Sequence, residues 1–173
     1  MNTTLGKIKS HQPRCACCTG TENMIAILNK TITDDEPLPL LTILELVGLD
    51  NALWALRTIE GHYREERLLA GAYARQVQHL MDDQGCIDLL DLSERFANGQ
   101  ADGDDMLAAW KIAYPAPRRA RLSGAPLAVI AARWAAINAA KGQALPAALS
   151  AREAGADQAI QEAEFIRMCK GEI

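Results

Sequence analysis

Residues 40–99 read LLTILELVGLDNALWALRTIEGHYREERLLAGAYARQVQHLMDDQGCIDLLDLSERFANG, and this block sets the fold class. Apolar side chains recur in it every three or four positions, which is the spacing of one helix face, whereas the alternation typical of strands is absent. It contains no proline, and Gly48, Gly61 and Gly99 fall where helices would end. The block therefore predicts consecutive α-helices joined by short turns.

The same pattern extends on both sides of this block. We expect an all-α fold, either a helical bundle or a short helical-repeat-like stack of about seven or eight helices. The predicted helices span residues 22–30, 40–47, 51–60, 63–81, 87–97, 102–114, 127–141 and 146–169, the last of them bent at Gly155. Residues 1–20 are predicted to form an N-terminal arm, and residues 21–173 a single helical domain with a Pro/Arg-rich loop at 115–126.

Alanine supplies much of the apolar content. Hydrophobic residues make up 49% of the chain and aromatic residues only 5%, which predicts closely packed helices with few large anchors. The expected anchors are Trp54, Phe96, Trp110, Trp134 and Phe165. The Ala-rich face at residues 131–140 is expected to form either intramolecular core or the seam of a homodimer.

The charge balance and the cysteine content bound the function. The chain has 18 basic and 22 acidic residues, a formal net charge of -4, and this disfavours direct nucleic-acid binding, which depends on phosphate neutralisation. No apolar stretch is long enough for a membrane span, and the first residues do not resemble a secretory signal. An odd number of cysteines favours reduced thiols. We therefore expect a cytoplasmic protein that makes no membrane contact.

One cluster of metal-like residues occurs near the N-terminus. Cys15, Cys17 and Cys18 follow His11, but the C-x-C-C spacing lacks the second ligand pair that a zinc site requires. These four residues are weak metal candidates, and ordinary reduced thiols are the preferred interpretation, with no cofactor expected. A metal- or thiol-dependent regulator that uses them together with His62 remains the alternative.

Two charged segments are the candidate partner contacts. Asp34, Asp35 and Glu36 form an acidic loop, and Arg118, Arg119 and Arg121 lie in the proline-flanked segment. Loops present binding residues more often than packed helices do. The competing interpretation is that both segments are simply solvated.

Two blocks carry a resemblance to a known family. DDEPLPLL at residues 34–41 and GLDNALWALR at residues 48–57 resemble, in the same order, stretches of small helical proteins common in phages and prophages. Residues 69–81 and 87–99 are similar to a helix pair in immunity proteins of polymorphic toxin systems. The resemblance covers about residues 30–113 and implies a helical protein without catalytic residues to carry over.

These observations together predict a non-enzymatic protein that acts by presenting a surface. The resemblance implies a phage or mobile-element protein that binds and inhibits a bacterial protein or nucleoprotein complex. A defence system is the expected target, which would make the protein an anti-CRISPR-like inhibitor. The alternative is an immunity protein that neutralises a cognate toxin.

Overall fold

The computed structural model describes residues 1–11, 20–29 and 35–173. The described chain divides into two compact units, Met1–Gly61 and His62–Ile173. The sequence predicted an arm at residues 1–20 and one domain from residue 21. The boundary between the compact units lies at Gly61 instead, and residues 1–11 belong to the first of them.

In its described residues, the first unit contains two short strands and several short helices. In chain order these are β1 (Asn2–Thr3), α1 (Leu5–Ser10), α2 (Gly20–Ile27), β2 (Leu38–Pro39), α3 (Leu40–Val47) and α4 (Leu49–Leu56). β1 and β2 pair in antiparallel register, Asn2 with Pro39 and Thr3 with Leu38. The sequence predicted no strand, because two-residue strands are too short to show an alternating pattern.

Residues 1–11, the described beginning of the chain, form a short strand and a helix rather than a free arm. The Thr4 side chain caps α1 by accepting a hydrogen bond from the Lys7 amide at 3.1 Å. Leu5 and Ile8, one turn apart on α1, are both buried. The buried hydroxyl groups of Thr3 and Thr58 are hydrogen-bonded to each other, which joins β1 to the end of this unit. The arm prediction is therefore corrected for residues 1–11, whereas residues 12–19 lie outside the described part.

The second unit is entirely helical. It contains α5 (Tyr63–Arg75), a 3-10 turn (Gln78–Leu80), α6 (Gln84–Ala97), α7 (Gly103–Ala113), α8 (Ala116–Leu122), α9 (Leu127–Ala140), α10 (Ala144–Glu153) and α11 (Gln158–Cys169). The all-α class is confirmed, with more and shorter helices than predicted. Asp83, Asp102 and Asp157 cap α6, α7 and α11 by accepting backbone N–H bonds.

Helix α9 is the centre of the second unit. It packs against α5, α6, α8 and α10, and a helix enclosed on several sides is expected to be apolar around most of its circumference. Its buried alanines are Ala131, Ala132, Ala135, Ala136, Ala139 and Ala140. The Ala-rich face is therefore intramolecular core, and the dimer-seam alternative for these residues is set aside.

Long polar side chains tie the outer helices to this core. The buried Tyr73 hydroxyl of α5 donates to the Gln161 carbonyl of α11 at 3.1 Å. The Gln161 side-chain amide in turn donates through Nε2 to the Ala148 carbonyl of α10 at 3.1 Å. Arg67 of α5 donates to the Ala140 carbonyl at the end of α9 and lies over the Phe96 ring, 4.9 Å from its centroid. The Arg67 bond satisfies a carbonyl that the end of α9 would otherwise leave without a helical partner.

Two further helix predictions are corrected. The predicted loop at 115–126 contains α8, and the predicted helix at 146–169 is two helices, α10 and α11, separated at Gly155. The predicted anchors also differ. Phe165 is fully buried, but Trp54, Phe96 and Trp110 are only partly buried and Trp134 is exposed. Small helices packed through alanine leave little depth in which to enclose a whole indole ring.

Across the residues that the structure describes, no helix combines the length and the apolar character needed to cross a membrane.

Candidate functional site

A groove of about 910 Å³ opens where the end of α7 meets α8 and α9. This volume lies within the range of small-molecule ligand pockets, about 300–1,000 Å³. The residues that line it are Tyr114, Pro115, Pro117, Arg118, Arg121, Leu122, Ile130 and Trp134. We call this surface the aromatic–arginine groove. It lies entirely within the second unit.

Local sequence explains why α8 lies beside the groove. Pro115 immediately precedes α8 and Pro117 is in its first turn, where the missing proline N–H costs no hydrogen bond. Arg133 of α9 donates through Nη1 to the Ala116 carbonyl at 2.7 Å. The first turn of α8 is thus attached to α9, and the α8 side chains after it line the groove.

Aromatic rings form one wall. Trp110 and Tyr114 are one turn apart along α7, and their ring centroids lie 4.3 Å apart with an interplanar angle of 31°. Tyr114 then meets Trp134 of α9 edge to face, at 6.2 Å and 83°. Such offset and T-shaped contacts are favourable geometries for aromatic pairs. Trp110 supports Tyr114 from behind, and Tyr114 and Trp134 remain 44% and 37% exposed.

The rest of the lining is aliphatic or basic. Leu122, at the end of α8, is 78% exposed and lines the groove. Arg118 and Arg121 are exposed and lie three residues apart, so they project from the same side of α8. No acidic residue is among the lining residues. The groove is therefore apolar and basic in a chain whose net charge is negative.

The three arginines predicted as contacts have two different roles in the structure. Arg119 forms an ion pair with Asp83, Nη2 to Oδ2 at 3.0 Å. Arg118 and Arg121 form no ion pair with a carboxylate of the described residues and line the groove. The structure thus brings Arg118 and Arg121 together at a concave surface, whereas Arg119 attaches α8 to the segment before α6.

Arg133 is a second structural arginine. Its guanidinium is almost buried and donates to Asp82 Oδ1 through Nε at 3.1 Å and through Nη2 at 2.5 Å. These hydrogen bonds lower the pKa of Asp82. The neighbouring pairs Asp82–Arg133 and Asp83–Arg119 therefore fix α9 and α8 to the same short segment before α6.

The acidic candidates lie in the first unit. Asp34 is outside the described residues. Asp35 is exposed and accepts a hydrogen bond from the Thr4 hydroxyl at 3.3 Å, and Glu36 is exposed as well. Asp35 thus joins the loop to the beginning of α1.

The metal candidates are not assembled into a site by the described residues. Cys15, Cys17 and Cys18 lie outside them. His11 ends α1 and its Nδ1 lies 3.0 Å from the Lys7 carbonyl, so this nitrogen must carry the donated proton. His62 Nδ1 is 3.7 Å from Glu65 Oε2 at the beginning of α5. Within residues 1–11, 20–29 and 35–173, no group of three or more His, Cys, Asp or Glu side chains is placed to hold a metal ion.

Two cysteines, Cys86 and Cys169, are described, and neither is in a disulfide bond. Burial raises the pKa of Cys86 to about 12 and that of Cys169 to about 11. The thiolate is the nucleophile and the metal-binding form of cysteine. Burial therefore favours the thiol over the thiolate at both positions near neutral pH.

Six of the eight lining residues, Pro115 and Pro117 among them, were not identified as site residues from the sequence. Tyr114, Leu122 and Ile130 were not identified as site residues, and Trp134 was assigned to the core. The signal that could have found them was the pair Trp110 and Tyr114, one helical turn apart and directly before the proline-arginine segment. An aromatic pair ending beside prolines and arginines is a composition typical of binding surfaces. Nothing local indicated that α9 would bring Trp134 to the same place.

Comparison of the chain with protein-family models, with curated proteins and with solved structures gave no match in any of the three.

Proposed function

We propose that this protein is a non-enzymatic binding protein that inhibits a bacterial protein complex, and that the aromatic–arginine groove is the surface that contacts it. The observation that carries the proposal is the combination of exposed Tyr114 and Trp134 with Arg118 and Arg121 around one concave surface. Tyrosine, tryptophan and arginine are the residues enriched at the energetic centres of protein interfaces.

Two contacts attach α8 to its neighbours, which favours binding at the groove. Arg133 attaches the first turn of α8 to α9, and the Arg119–Asp83 pair attaches its middle to the segment before α6. A surface fixed in this way loses less conformational entropy when a partner binds. The elements that line the groove are therefore suited to recognising a complementary surface without rearranging.

A bacterial defence complex, such as a CRISPR interference complex, is the proposed target class. The support is the order of the blocks at residues 34–41 and 48–57, which resemble phage proteins, together with the acidic net charge. An inhibitor that blocks an assembly or binding surface needs no active site. The immunity alternative rests on the similarity of residues 69–99 to toxin-neutralising proteins and would use the same groove.

A plaque assay tests inhibition directly. The protein is expressed in a bacterium with an active CRISPR system, which is then challenged with a targeted phage. We expect plaque formation to rise relative to an empty vector, and to fall back when Trp134 is replaced by alanine. Tyr63→Ala is the matched control, because Tyr63 is an exposed aromatic residue outside the groove.

Affinity purification with mass spectrometry separates the alternatives. The tagged protein is recovered from the lysate of a strain with known defence systems. A stoichiometric defence subunit, lost in the Trp134→Ala variant, supports the proposed function. A secreted-toxin domain in its place would move the assignment to immunity, and unchanged plaque counts with no co-purified protein would overturn both.

A further inference from the structure

The charge of the groove is opposite to that of the chain that carries it. The protein has four more acidic than basic residues, yet the groove lining holds two arginines and no carboxylate. The nearest acidic side chains on the segment before α6, Asp82 and Asp83, are already paired with Arg133 and Arg119. Arg118 and Arg121 therefore present positive charge that is not compensated by a carboxylate of the described residues.

The shape and apolar content of the groove restrict what can fill it. Leu122 is largely exposed at one rim, and Ile130 and Trp134 contribute aliphatic and aromatic surface from α9. Apolar side chains gain free energy when they leave water for such a surface. An occupant must therefore combine negative charge with at least one apolar side chain.

A nucleic acid meets these conditions less well than a protein segment does. Single strands gain affinity from many phosphate contacts, and two arginines would give a salt dependence of only about -1.4 in log–log slope. The overall negative charge of the chain also repels a polyanion at long range. A peptide that carries a few carboxylates between apolar residues needs only two basic partners.

We infer that the aromatic–arginine groove binds an acidic, apolar-anchored segment of a partner protein, in which Asp or Glu side chains meet Arg118 and Arg121 and an apolar side chain packs against Leu122 and Trp134. This inference rests on the proposed function, since it specifies the chemistry of the surface that the inhibitor recognises. Electrostatic complementarity of this kind sets specificity and association rate.

Selection from a library of short random peptides displayed on phage tests the inference even while the partner is unidentified. The full-length protein is immobilised, and the enriched peptides are sequenced. We expect them to contain more Asp and Glu than Lys and Arg, together with Leu, Ile, Phe or Trp. Selection against the Arg118→Glu/Arg121→Glu variant is expected to lose this consensus.

Fluorescence anisotropy with the best synthetic peptide then measures each contribution. We expect the Arg118→Glu/Arg121→Glu variant to raise the Kd at least about tenfold, and salt between about 50 and about 200 mM to weaken binding. Lys111→Glu is the matched charge control, because Lys111 is exposed on α7 but does not line the groove. Circular dichroism verifies the fold, and the Arg118→Gln/Arg121→Gln variant replaces the reversal if the latter unfolds.

Two exposed leucines provide the apolar control. Leu122 and Leu127 are 78% and 82% exposed, and only Leu122 lines the groove. Leu122→Ser is expected to raise the Kd several-fold, whereas Leu127→Ser leaves it unchanged. Because both side chains are largely in solvent, neither change should unfold the protein.

Three outcomes would overturn the inference. They are the absence of any enriched peptide, a basic or uncharged consensus, and an Arg118- and Arg121-dependent affinity for fluorescent oligothymidine that exceeds the affinity for the peptides. Failure of the inference is distinguishable from failure of the proposed function. Inhibition in the plaque assay that depends on Trp134 would persist if only the chemistry of the occupant were wrong.

Discussion

Arginines in the second unit differ according to their partners. Arg133 is almost buried, forms an ion pair with Asp82 and donates a hydrogen bond to the Ala116 carbonyl. Arg119 forms an ion pair with Asp83 at the surface. Arg118 and Arg121, on the same short helix as Arg119, line the groove instead. Arg133 and Arg119 therefore hold helices together, whereas Arg118 and Arg121 are exposed at the groove.

Replacing Asp82 by asparagine tests the first of these pairs as a function of pH. Arg133 lowers the pKa of Asp82, so the folded protein binds fewer protons at this group than the unfolded chain does. The stabilisation is complete above the ordinary aspartate pKa of about 4 and is lost as the pH falls through the lower folded value. We expect Asp82→Asn to reduce the free energy of unfolding by about 1 kcal/mol at pH 7, since the exposed carboxylate is screened by solvent.

The difference between this variant and the wild type should shrink below a pH of about 4 in urea titrations. Asp88→Asn is the control. Asp88 is an exposed carboxylate of α6 that accepts a hydrogen bond from the neutral Gln84 side chain instead of pairing with an arginine. A constant difference from neutral pH to acid would show that the Asp82 charge does not stabilise the fold.

Asp83 is expected to matter more than its ion-pair partner. It caps α6 by accepting from the Cys86 amide at 3.3 Å and also pairs with Arg119. Asp83→Ala should reduce the free energy of unfolding by about 1–2 kcal/mol, Arg119→Ala by less than about 1 kcal/mol, and Arg118→Ala by less than about 0.5 kcal/mol. Chemical denaturation of the three variants measures this order, and a larger loss for Arg118→Ala would contradict its assignment to binding.

At the scale of the element, α8 shows how a helix forms where sequence signals predict a loop. Prolines at residues 115, 117 and 126 and Gly124 are turn residues by composition. Pro115 and Pro117 nevertheless fit the start of a helix, because proline there removes no helical hydrogen bond. Burial of Ala116, Pro117 and Ala120 against the rest of the unit then stabilises a helix of only seven residues.

The junction between α10 and α11 depends on one glycine. Gly155 has φ of +104°, and the Ala156 amide bonds back to the Ala151 carbonyl at 2.9 Å. Gly155→Ala should reduce the free energy of unfolding by about 1–3 kcal/mol, because alanine is strained in this conformation. Thermal denaturation measures the loss.

Gly103→Ala is the matched control for this change. Gly103 begins α7, has no positive φ and has open space where the Cβ of an alanine would lie. Alanine there is expected to be neutral or slightly stabilising, because it restricts the unfolded chain. Equal destabilisation by both substitutions would contradict the conformational explanation.

At the scale of the molecule, the second unit carries both its own core and the groove. Its central helix α9 is enclosed by α5, α6, α8 and α10, and Tyr73, Phe165 and Met168 are fully buried. A compact unit with its own apolar core is expected to fold by itself.

A fragment of residues 62–173 is therefore expected to retain helical circular dichroism and to unfold cooperatively in urea. It should also bind the same acidic peptides as the full chain, since every groove residue lies within it. A fragment that is helical but unfolds without a cooperative transition would show that this core is insufficient.

The helical class and many helix ends follow from the amino-acid sequence alone. Gly48 was expected to end a helix and does so with φ of +82°, and Asp102 was placed at the start of α7, which it caps. These features were predictable because helix periodicity, capping side chains and left-handed glycines act within one or two turns of the chain. Both arginines of the groove were also identified, as members of a charged segment.

Tertiary packing selects which of these residues form a site. Whether Arg119 is paired depends on Asp83, 36 positions earlier in the chain, and the aromatic wall requires α7 and α9 to place Tyr114 beside Trp134. Residue spacing along one helix carries no information about such distances, because they are set by how helices pack across the core. The groove, and the difference between the ion-paired arginines and those that line it, therefore exist only in the folded chain.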